Sequence, residues 1–442
     1  MLILRATILI AIICCGAAQA AATQSVEVKL KEAAAAIQRR DLASAERLLR
    51  AALKSDPEAV AAYNLLGFVL LNTGRAADAE ASLKQALKLD PSYLAARTNL
   101  GHLYYSTGRA RDAAAELEQV IAADPDNAPA RSALAAAYGA QGLWEKALLL
   151  LEEAAKRGQK DFDAQYLHGF ALYKLGRARE AERTLRSAVE LRPASVDAQF
   201  ALGLVFAATG DDDDALAQFG RAASLQPSHA ESHFEMGQLY LKYNRLEPAV
   251  SAFTRATIAA PKKAVYQAAL GDAYYYWGQF DRAQEAYARA QALDPDAPGI
   301  NYRLGAFHLK TGRLPEAERY FKREIELHAD HAQSHASLGE LYLMSGRDAE
   351  SETALARALA LAPDHANALY QMGRLRARQQ KYDEASAAFK RVVELDPSNA
   401  QVHYQLFLIY RRAGNREMAD RELQLFQKME RDSKAQGTTP QQ

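Results

Sequence analysis

Prolines recur in this chain at a fixed interval, and that interval constrains the fold more than any other feature. Nine of them stand at residues 57, 91, 125, 193, 227, 261, 295, 363 and 397, so every gap is 34 or 68 residues. A fixed period of this length is the signature of a repeat architecture, in which each unit packs only on its neighbours. With proline at repeat position 32, twelve units of 34 residues fit without an insertion, beginning at residues 26, 60, 94, 128, 162, 196, 230, 264, 298, 332, 366 and 400.

Two glycine positions and one alanine position recur in the same register. Glycine occupies position 8 in nine repeats and position 15 in nine, and alanine occupies position 20 in all repeats except the one with Ser351. Small residues at positions 8 and 20 allow two helices to approach closely, whereas glycine at position 15 supplies the left-handed residue that ends a helix. Proline at position 32 ends the next helix. The pattern predicts one helical hairpin per repeat.

The repeat resembles the tetratricopeptide family, whose signature combines a leucine–glycine–tyrosine motif, an alanine–phenylalanine motif and a proline. The seventh repeat carries this signature as Met236, Gly237, Tyr240, Ala249, Phe253 and Pro261. The resemblance implies an all-α fold, a right-handed α-solenoid of about twelve helix-turn-helix repeats over residues 26–433. The usual tryptophan at position 4 is replaced, for example by His233. Residues 434–442 are expected to form a disordered tail.

The N-terminus reads as a secretory signal peptide over residues 1–20. Arg5 supplies the positive charge, residues 6–18 are apolar or small, and Ala18-Gln19-Ala20 fits the cleavage pattern. We therefore expect an exported protein, periplasmic or secreted, with an uncleaved membrane anchor as the alternative. Both cysteines, Cys14 and Cys15, lie in this segment. The mature chain is then expected to lack disulfides and thiolate sites.

The resemblance also implies a partner-binding groove lined by the first helices, with repeat positions 2, 5, 9, 12 and 13 pointing into it. In the fourth repeat these positions are nearly bare: Ser132, Ala136, Gly139 and Ala140. Repeats five to eight offer the predicted binding residues Tyr166, Phe170, Tyr173, Phe200, Phe234, Asp272, Tyr275 and Tyr276. Repeats eleven and twelve offer a secondary basic patch of Arg374, Arg378, Arg411 and Arg412. The competing interpretation is that aromatics at positions 5 and 12 pack within the array.

Two features resemble catalytic or metal sites without the required pattern. His328, His331 and His335 have metal-ligand spacing, but His331 and His335 occupy repeat positions 34 and 4, where histidine recurs in register. The acids at 211–214 lack the alternation of a calcium loop and suit the start of a helix. We predict no catalytic, cofactor-binding or metal-binding residue. Lys plus Arg and Asp plus Glu are both 54, which gives no basic field for nucleic acid.

These observations favour an exported protein–protein interaction scaffold without catalysis, whose partner is a protein or peptide. Membrane association is expected only through a partner or an uncleaved N-terminal segment. One alternative is an assembly component of an envelope secretion, pilus or exopolysaccharide-export machine, because proteins of this family occur there. Another is the regulatory subunit of a separate enzyme. The repeat residues themselves report on the fold and not on the partner.

Overall fold

The computed structural model describes residues 25–156 and 161–435, so the predicted signal peptide lies outside the described residues. Over these two ranges the backbone forms 24 helices and no strand. The helices alternate as the two members of twelve hairpins, which confirms the predicted all-α solenoid fold. The chain divides into two compact units, Met1–Leu225 and Gln226–Gln442.

The first unit holds six hairpins, in which odd-numbered helices come first and even-numbered helices second. Its helices are α1 (25–38), α2 (Leu42–Ser55), α3 (Val60–Asn72), α4 (Ala76–Leu89), α5 (Leu94–Ser106), α6 (Ala110–Ala123), α7 (Ala128–Ala140), α8 (Trp144–Lys156), α9 (Phe162–Lys174), α10 (Ala178–Leu191), α11 (Val196–Thr209) and α12 (Asp212–Leu225). Successive first helices contact one another, α3 with α5, α5 with α7, α7 with α9 and α9 with α11. They therefore form a continuous layer within this unit.

The second unit holds the other six hairpins. Its helices are α13 (Ala230–Lys242), α14 (Leu246–Ala259), α15 (Ala264–Tyr276), α16 (Phe280–Leu293), α17 (Ile300–Lys310), α18 (Leu314–Leu327), α19 (Ala332–Met344), α20 (Asp348–Leu361), α21 (Ala366–Arg378), α22 (Tyr382–Leu395), α23 (Ala400–Arg412) and α24 (Arg416–Ala435). Helix α24 continues two residues into the predicted tail, and residues 436–442 lie outside the described ranges. Within those ranges, no helix combines the length and apolar character that crossing a bilayer requires.

The turn inside each hairpin depends on a left-handed residue at repeat position 15. The glycines at this position all have positive φ, as for Gly74 at 78°. Three repeats without glycine keep the same conformation, with φ of 60° at Arg40, 53° at Asn244 and 62° at Gln380. Because this region costs a residue with a side chain roughly 1 kcal/mol, the hairpin geometry must impose it. The predicted role of position 15 is confirmed.

Close approach of the two helices in each hairpin explains glycine at position 8. A Cβ atom added to Gly203 would lie 2.6 Å from Cε1 of Phe219, which is fully buried at position 24 of the second helix. Position 20 lies in the same contact. Its one non-alanine residue, Ser351, is buried and its hydroxyl donates a hydrogen bond of 2.8 Å to the carbonyl of Gly339. The predicted helix–helix contact is confirmed.

Polar side chains at repeat position 4 satisfy a carbonyl at the preceding proline turn. Nε2 of His233 donates to the carbonyl of Pro227 at 3.0 Å, and Nε2 of Gln199 donates to that of Pro193 at 2.9 Å. The same contact to a carbonyl six residues earlier is made by Arg97, Arg131, Asn301 and His335. In these six repeats, the residue that stands in place of the family tryptophan donates a hydrogen bond to the turn.

A tyrosine, a glutamate and an arginine join successive hairpins in both units, and we call this arrangement the inter-hairpin cluster. In the first unit, the Tyr104 hydroxyl donates to Glu80 at 3.1 Å and Nη1 of Arg109 donates to Glu80 at 2.9 Å. The Arg109 guanidinium carbon lies 4.0 Å from the centroid of the Tyr104 ring. The corresponding residues of the second unit are Tyr342, Glu318 and Arg347. Each cluster links two hairpins through one carboxylate.

The ninth hairpin departs from the repeat in a way that the sequence analysis did not predict. Helix α17 begins at Ile300, repeat position 3, whereas α15 and α19 begin at position 1. Gly299 precedes it with φ of 79°. The fully buried carboxylate of Glu324 accepts hydrogen bonds from the backbone N–H groups of Gly299 at 2.8 Å and Tyr302 at 3.3 Å. A side chain from the second helix thus caps the shortened first helix.

Candidate interaction surface

The residues predicted to bind a partner are divided between the two compact units. The first unit contains Tyr166, Phe170, Tyr173 and Phe200, and the second contains Phe234, Asp272, Tyr275 and Tyr276. The structure therefore offers two separate sets of residues, one on each unit.

Helix α9 of the first unit carries four aromatic side chains on one face. Phe162, Tyr166, Phe170 and Tyr173 are spaced by four, four and three residues. Consecutive ring centroids are 5.9, 6.0 and 6.1 Å apart, and all four side chains are half-buried. We call this set the α9 column. Three members were predicted as binding residues, whereas Phe162, at repeat position 1, was missed.

Neighbouring side chains hold the α9 column in place. Trp144 of α8 meets Phe170 edge-on, with ring centroids 5.6 Å apart. The Arg192 guanidinium carbon lies 3.9 Å from the centroid of Phe162, and Nζ of Lys174 lies 5.1 Å from that of Phe170. Edge-to-face and cation–π contacts of this kind favour a fixed ring geometry. These contacts set the arrangement of the rings in the structure.

The hydroxyl of Tyr166 lies in an apolar setting with two further polar groups nearby. Burial raises the pKa of Tyr166 to about 12, with smaller contributions from Asp197 of α11 and Tyr105 of α5. Between α5 and α9 lies α7, which presents only the small residues Ser132 and Ala136 at repeat positions 5 and 9. The α9 column therefore stands beside a helix without large side chains at the corresponding positions.

Gly139 does not belong to the surface formed by the small residues Ser132 and Ala136, contrary to the interpretation from sequence. It is buried, and an added Cβ atom would lie 2.6 Å from Cζ3 of Trp144. The fourth repeat has Ala135 in place of the usual position-8 glycine. Gly139 instead provides the space that the Trp144 ring occupies.

Phe200 and Phe234 are oriented toward the interior. The ring of Phe200 lies 5.5 Å from that of the fully buried Phe219. Phe234 lies 5.7 Å from the fully buried Phe253 and 4.9 Å from Tyr266. Both remain half-buried, so part of each ring stays accessible. For these two residues, packing within the array accounts for most of the contact that each ring makes.

Asp272 is engaged by its own chain. Its carboxylate accepts hydrogen bonds from the Tyr287 hydroxyl and from Nε of Arg303, each at 2.8 Å. Burial raises the pKa of Asp272, while Arg303 and Tyr287 act in the opposite direction. The carboxylate is thus already paired, which weakens the expectation that it selects a basic partner.

Tyr275 and Tyr276 lie at the end of α15, near further polar and aromatic groups. Their ring centroids are 5.5 Å apart, and Tyr276 is 58% exposed. Burial raises the pKa of Tyr275, with smaller effects from Tyr276, Tyr302 and Glu340. Tyr302 and Glu340 were missed, although Tyr302 occupies the same repeat position 5 as Tyr166. Applying the predicted groove positions 2, 5, 9, 12 and 13 to every repeat would have identified Tyr302.

Comparison with protein-family models identifies the repeat. Two models described as tetratricopeptide repeat match residues 70–137 and 107–169, and residues 30–93 and 166–224. The chain contains tetratricopeptide repeats. A third model, described as the C-terminal domain of cilia and flagella-associated protein 70, matches residues 196–406. No curated protein matches the sequence.

Comparison with solved structures found chains of similar fold. The chain is similar to one in the crystal structure of the APC/C hetero-tetramer Cut9-Hcn1, with 15% identity, a TM-score of 0.51, and coverage of 90% of this chain and 92% of that one. It is also similar to yeast Tom70, with 15% identity, a TM-score of 0.47, and coverage of 89% and 96%. At this identity the likeness to Cut9-Hcn1 concerns the fold alone.

The secondary basic patch lies on the last two tetratricopeptide repeats, and most of it is engaged. Nη1 of Arg378 contacts Asp348 at 2.8 Å, and Nη1 of Arg374 donates to Gln371 at 2.9 Å. The Arg411 guanidinium carbon lies 5.3 Å from the ring centroid of Phe407, and Arg412 is exposed. The ion pair of Arg378 with Asp348 therefore offsets part of the positive charge of this patch.

Two of the three candidate histidines, which lie where the ninth repeat meets the tenth, make local hydrogen bonds. Nδ1 of His331 lies 2.7 Å from the Ser334 hydroxyl, and Nε2 of His335 donates to the Ala329 carbonyl at 3.1 Å. Nε2 of His328 lies 3.9 Å from Oε1 of Glu324. Over the described ranges, no three histidine, cysteine or acidic residues are grouped so that they could hold a metal ion.

The acidic run of the sixth tetratricopeptide repeat forms a turn and a helix start, as predicted. Gly210 ends α11 with φ of 86°, and the Thr209 hydroxyl donates to Asp211 at 2.6 Å. The next three aspartates form the first turn of α12. Negative charge at this end of a helix interacts favourably with its dipole.

Proposed function

We propose that this chain is a non-catalytic protein-interaction scaffold that binds a partner protein or peptide across its first helices. The observation that carries the proposal is the α9 column beside the small side chains of α7. Groups of ordered aromatic side chains that are not fully buried often mark binding surfaces. An extended peptide or an amphipathic helix suits such a surface, because its side chains alternate between anchors and solvent.

The α9 column is more than the hairpin needs for folding. The contact between α9 and α10 is made by Gly169 against Leu185, where an added Cβ atom would lie 2.6 Å from Cγ of the leucine. Tyr166 and Phe170 lie outside that contact and stay half-buried. Their apolar area is thus available to a partner without loss of the helix–helix contact.

The test requires a partner, which an affinity pull-down of the protein from its native source followed by mass spectrometry would identify. Affinity is then measured for wild type and for Tyr166→Ala and Phe170→Ala. Because truncating such an anchor costs about 2 kcal/mol, we expect affinity to fall roughly thirtyfold. Tyr243→Ala is the control, since Tyr243 is an exposed tyrosine of the second unit.

Circular dichroism and melting separate the possible outcomes. An unchanged affinity with an intact fold would move the site elsewhere, first to the basic patch of Arg374, Arg378, Arg411 and Arg412. A large loss of melting temperature would instead favour a packing role for the column. Envelope-assembly proteins in the pull-down would favour the export-machine alternative, and an enzyme would favour a regulatory subunit.

We also propose that the protein is exported and cleaved after Ala20. The support is the sequence pattern of Arg5, the short apolar run and Ala18-Gln19-Ala20. N-terminal sequencing of the native protein tests it. A mature chain beginning at Ala21 is the expected result, whereas an intact Met1 on membrane-bound protein would support the anchored alternative.

A further inference from the structure

A cavity of about 560 Å³ opens in the first unit where α6, α7 and α8 meet. Ile121, Leu134 and Leu150 contribute apolar side chains, and Leu149 of α8 projects beside them. Its volume lies within the range of sites that accept a ligand or an inserted side chain. None of the residues predicted to bind a partner lines it.

Leu149 is unusual for this fold. It is 64% exposed, whereas its neighbours Leu148 and Leu151 are buried. At the same repeat position the other eleven repeats carry small or polar residues: Arg47, Ala81, Ala115, Arg183, Ala217, Ser251, Glu285, Arg319, Thr353, Ala387 and Arg421. The repeat does not require a large apolar residue there. Its presence beside a cavity therefore points to a contact made outside the hairpin.

The rim of the cavity is acidic. Glu118, Glu145 and Glu153 line it together with one basic residue, Lys146, whose Nζ lies 5.6 Å from the ring centroid of Tyr138. Glu118 accepts a hydrogen bond of 2.7 Å from the Tyr138 hydroxyl. Glu145 and Glu153 form no ion pair with any described residue. Three carboxylates thus face one ammonium group, which favours a positively charged partner.

We propose that this cavity binds a basic amphipathic segment of a partner protein. An aliphatic side chain of the segment lies in the cavity against Leu149, and lysine or arginine residues face Glu118 and Glu145. Lys156 lies one turn beyond Glu153, and the sequence continues with further basic residues. Glu118 and Glu145, which are farther from these basic residues in the sequence, therefore provide the more specific test.

The probe is a fluorescein-labelled peptide of leucine and lysine, about four helical turns long, with leucine on one face. Anisotropy titrations compare the wild-type protein with Leu149→Arg, which installs the residue that four other repeats carry at this position. Arginine is tolerated there, so the fold should persist, as circular dichroism will verify. We expect binding to weaken about tenfold or more, because a buried leucine contact is replaced by a like charge.

Two further variants separate the charge contribution from general effects. Glu118→Gln combined with Glu145→Gln should weaken binding about threefold at low salt, with less effect at high salt. Ile258→Arg is the matched control, because Ile258 is a 73% exposed aliphatic residue on α14. It should leave affinity within about twofold of wild type, because Ile258 does not line the cavity.

Four results would overturn the proposal. The first is equal affinity of Leu149→Arg and wild type. The second is equally tight binding of a peptide with glutamate in place of lysine. The third is a dimer in sedimentation that Leu149→Arg converts to a monomer, since a second copy would then cover this surface. The fourth concerns Tyr166→Ala, which should leave the affinity for the peptide unchanged. A loss of affinity in this variant would place the peptide on the α9 column, which would refute the cavity site but not the proposed function.

Discussion

The same substitution at two glycines of one hairpin should have opposite effects on stability. Gly203 and Gly220 both lie within helices of the sixth hairpin. A Cβ atom at Gly203 would lie 2.6 and 2.7 Å from two atoms of the Phe219 ring, whereas one at Gly220 would meet nothing within 4 Å. Phe219 is fully buried, so its ring has no free space to occupy.

The magnitudes follow from two general contributions. Replacing glycine by alanine inside a helix stabilises it by about 0.5–1 kcal/mol. Overpacking a filled core costs about 1–3 kcal/mol. Gly220→Ala should therefore raise the free energy of unfolding by up to about 1 kcal/mol, because only the first contribution applies. Gly203→Ala should lower it by about 1–2 kcal/mol, because the second dominates.

Native-state hydrogen exchange is the suitable assay, because repeat arrays unfold segment by segment and a single melting point averages over them. Protection of the amides in α11 and α12 should fall in Gly203→Ala and rise in Gly220→Ala. Equal stabilisation by both substitutions would refute the reasoning, since it would show that the Phe219 ring moves aside without cost.

Three further outcomes are expected. The hydrogen bond from Arg347 is the main reason that the pKa of Glu318 is lowered to about 2. The ionised carboxylate therefore stabilises the fold fully above its ordinary pKa, and this contribution is lost as the pH falls toward 2. In an acid titration, the free energy of unfolding of Glu318→Gln should therefore decline less than that of wild type. Gly237→Leu should destabilise its hairpin by roughly 2–4 kcal/mol against Phe253, with distant repeats still protected from exchange. Tyr287→Phe removes a donor from Asp272, so the carboxyl pKa should rise further in an NMR titration.

The hairpin pattern was predictable because it depends on residues close in sequence. The left-handed turn and the close helix contact each favour glycine at a fixed repeat position, so the roles of Gly74 and Gly203 were predictable from the sequence. The left-handed conformation of Arg40 and Gln380 was not predictable, because the surrounding hairpin imposes it. The late start of α17 also escaped prediction, because the carboxylate that caps it comes from Glu324, 25 residues after Gly299.

The candidate surface was less predictable than the fold. Repeat position alone indicates which side of a helix a residue occupies, and it selected Tyr166 and Phe170, whose rings stack on one face of α9. It does not indicate which side chains find partners within the chain. Asp272 is paired with Arg303, 31 residues away, and that pairing depends on how two hairpins stack. A charged residue at a predicted groove position can therefore already be paired within the chain.

The donor at repeat position 4 limits how these repeats can diverge. The acceptor is a backbone carbonyl, which no mutation removes, so the position tolerates any side chain that reaches it with an N–H or O–H group. Histidine, arginine, glutamine and asparagine all do so here, and neither aspartate nor glutamate occurs at this position in any of the twelve repeats. Substitutions among these donors should be nearly neutral, whereas an acid would face the carbonyl oxygen. In six repeats the hydrogen bond to the turn is thus kept while the residue type at position 4 changes, whereas Leu369 at the same position has no donor group.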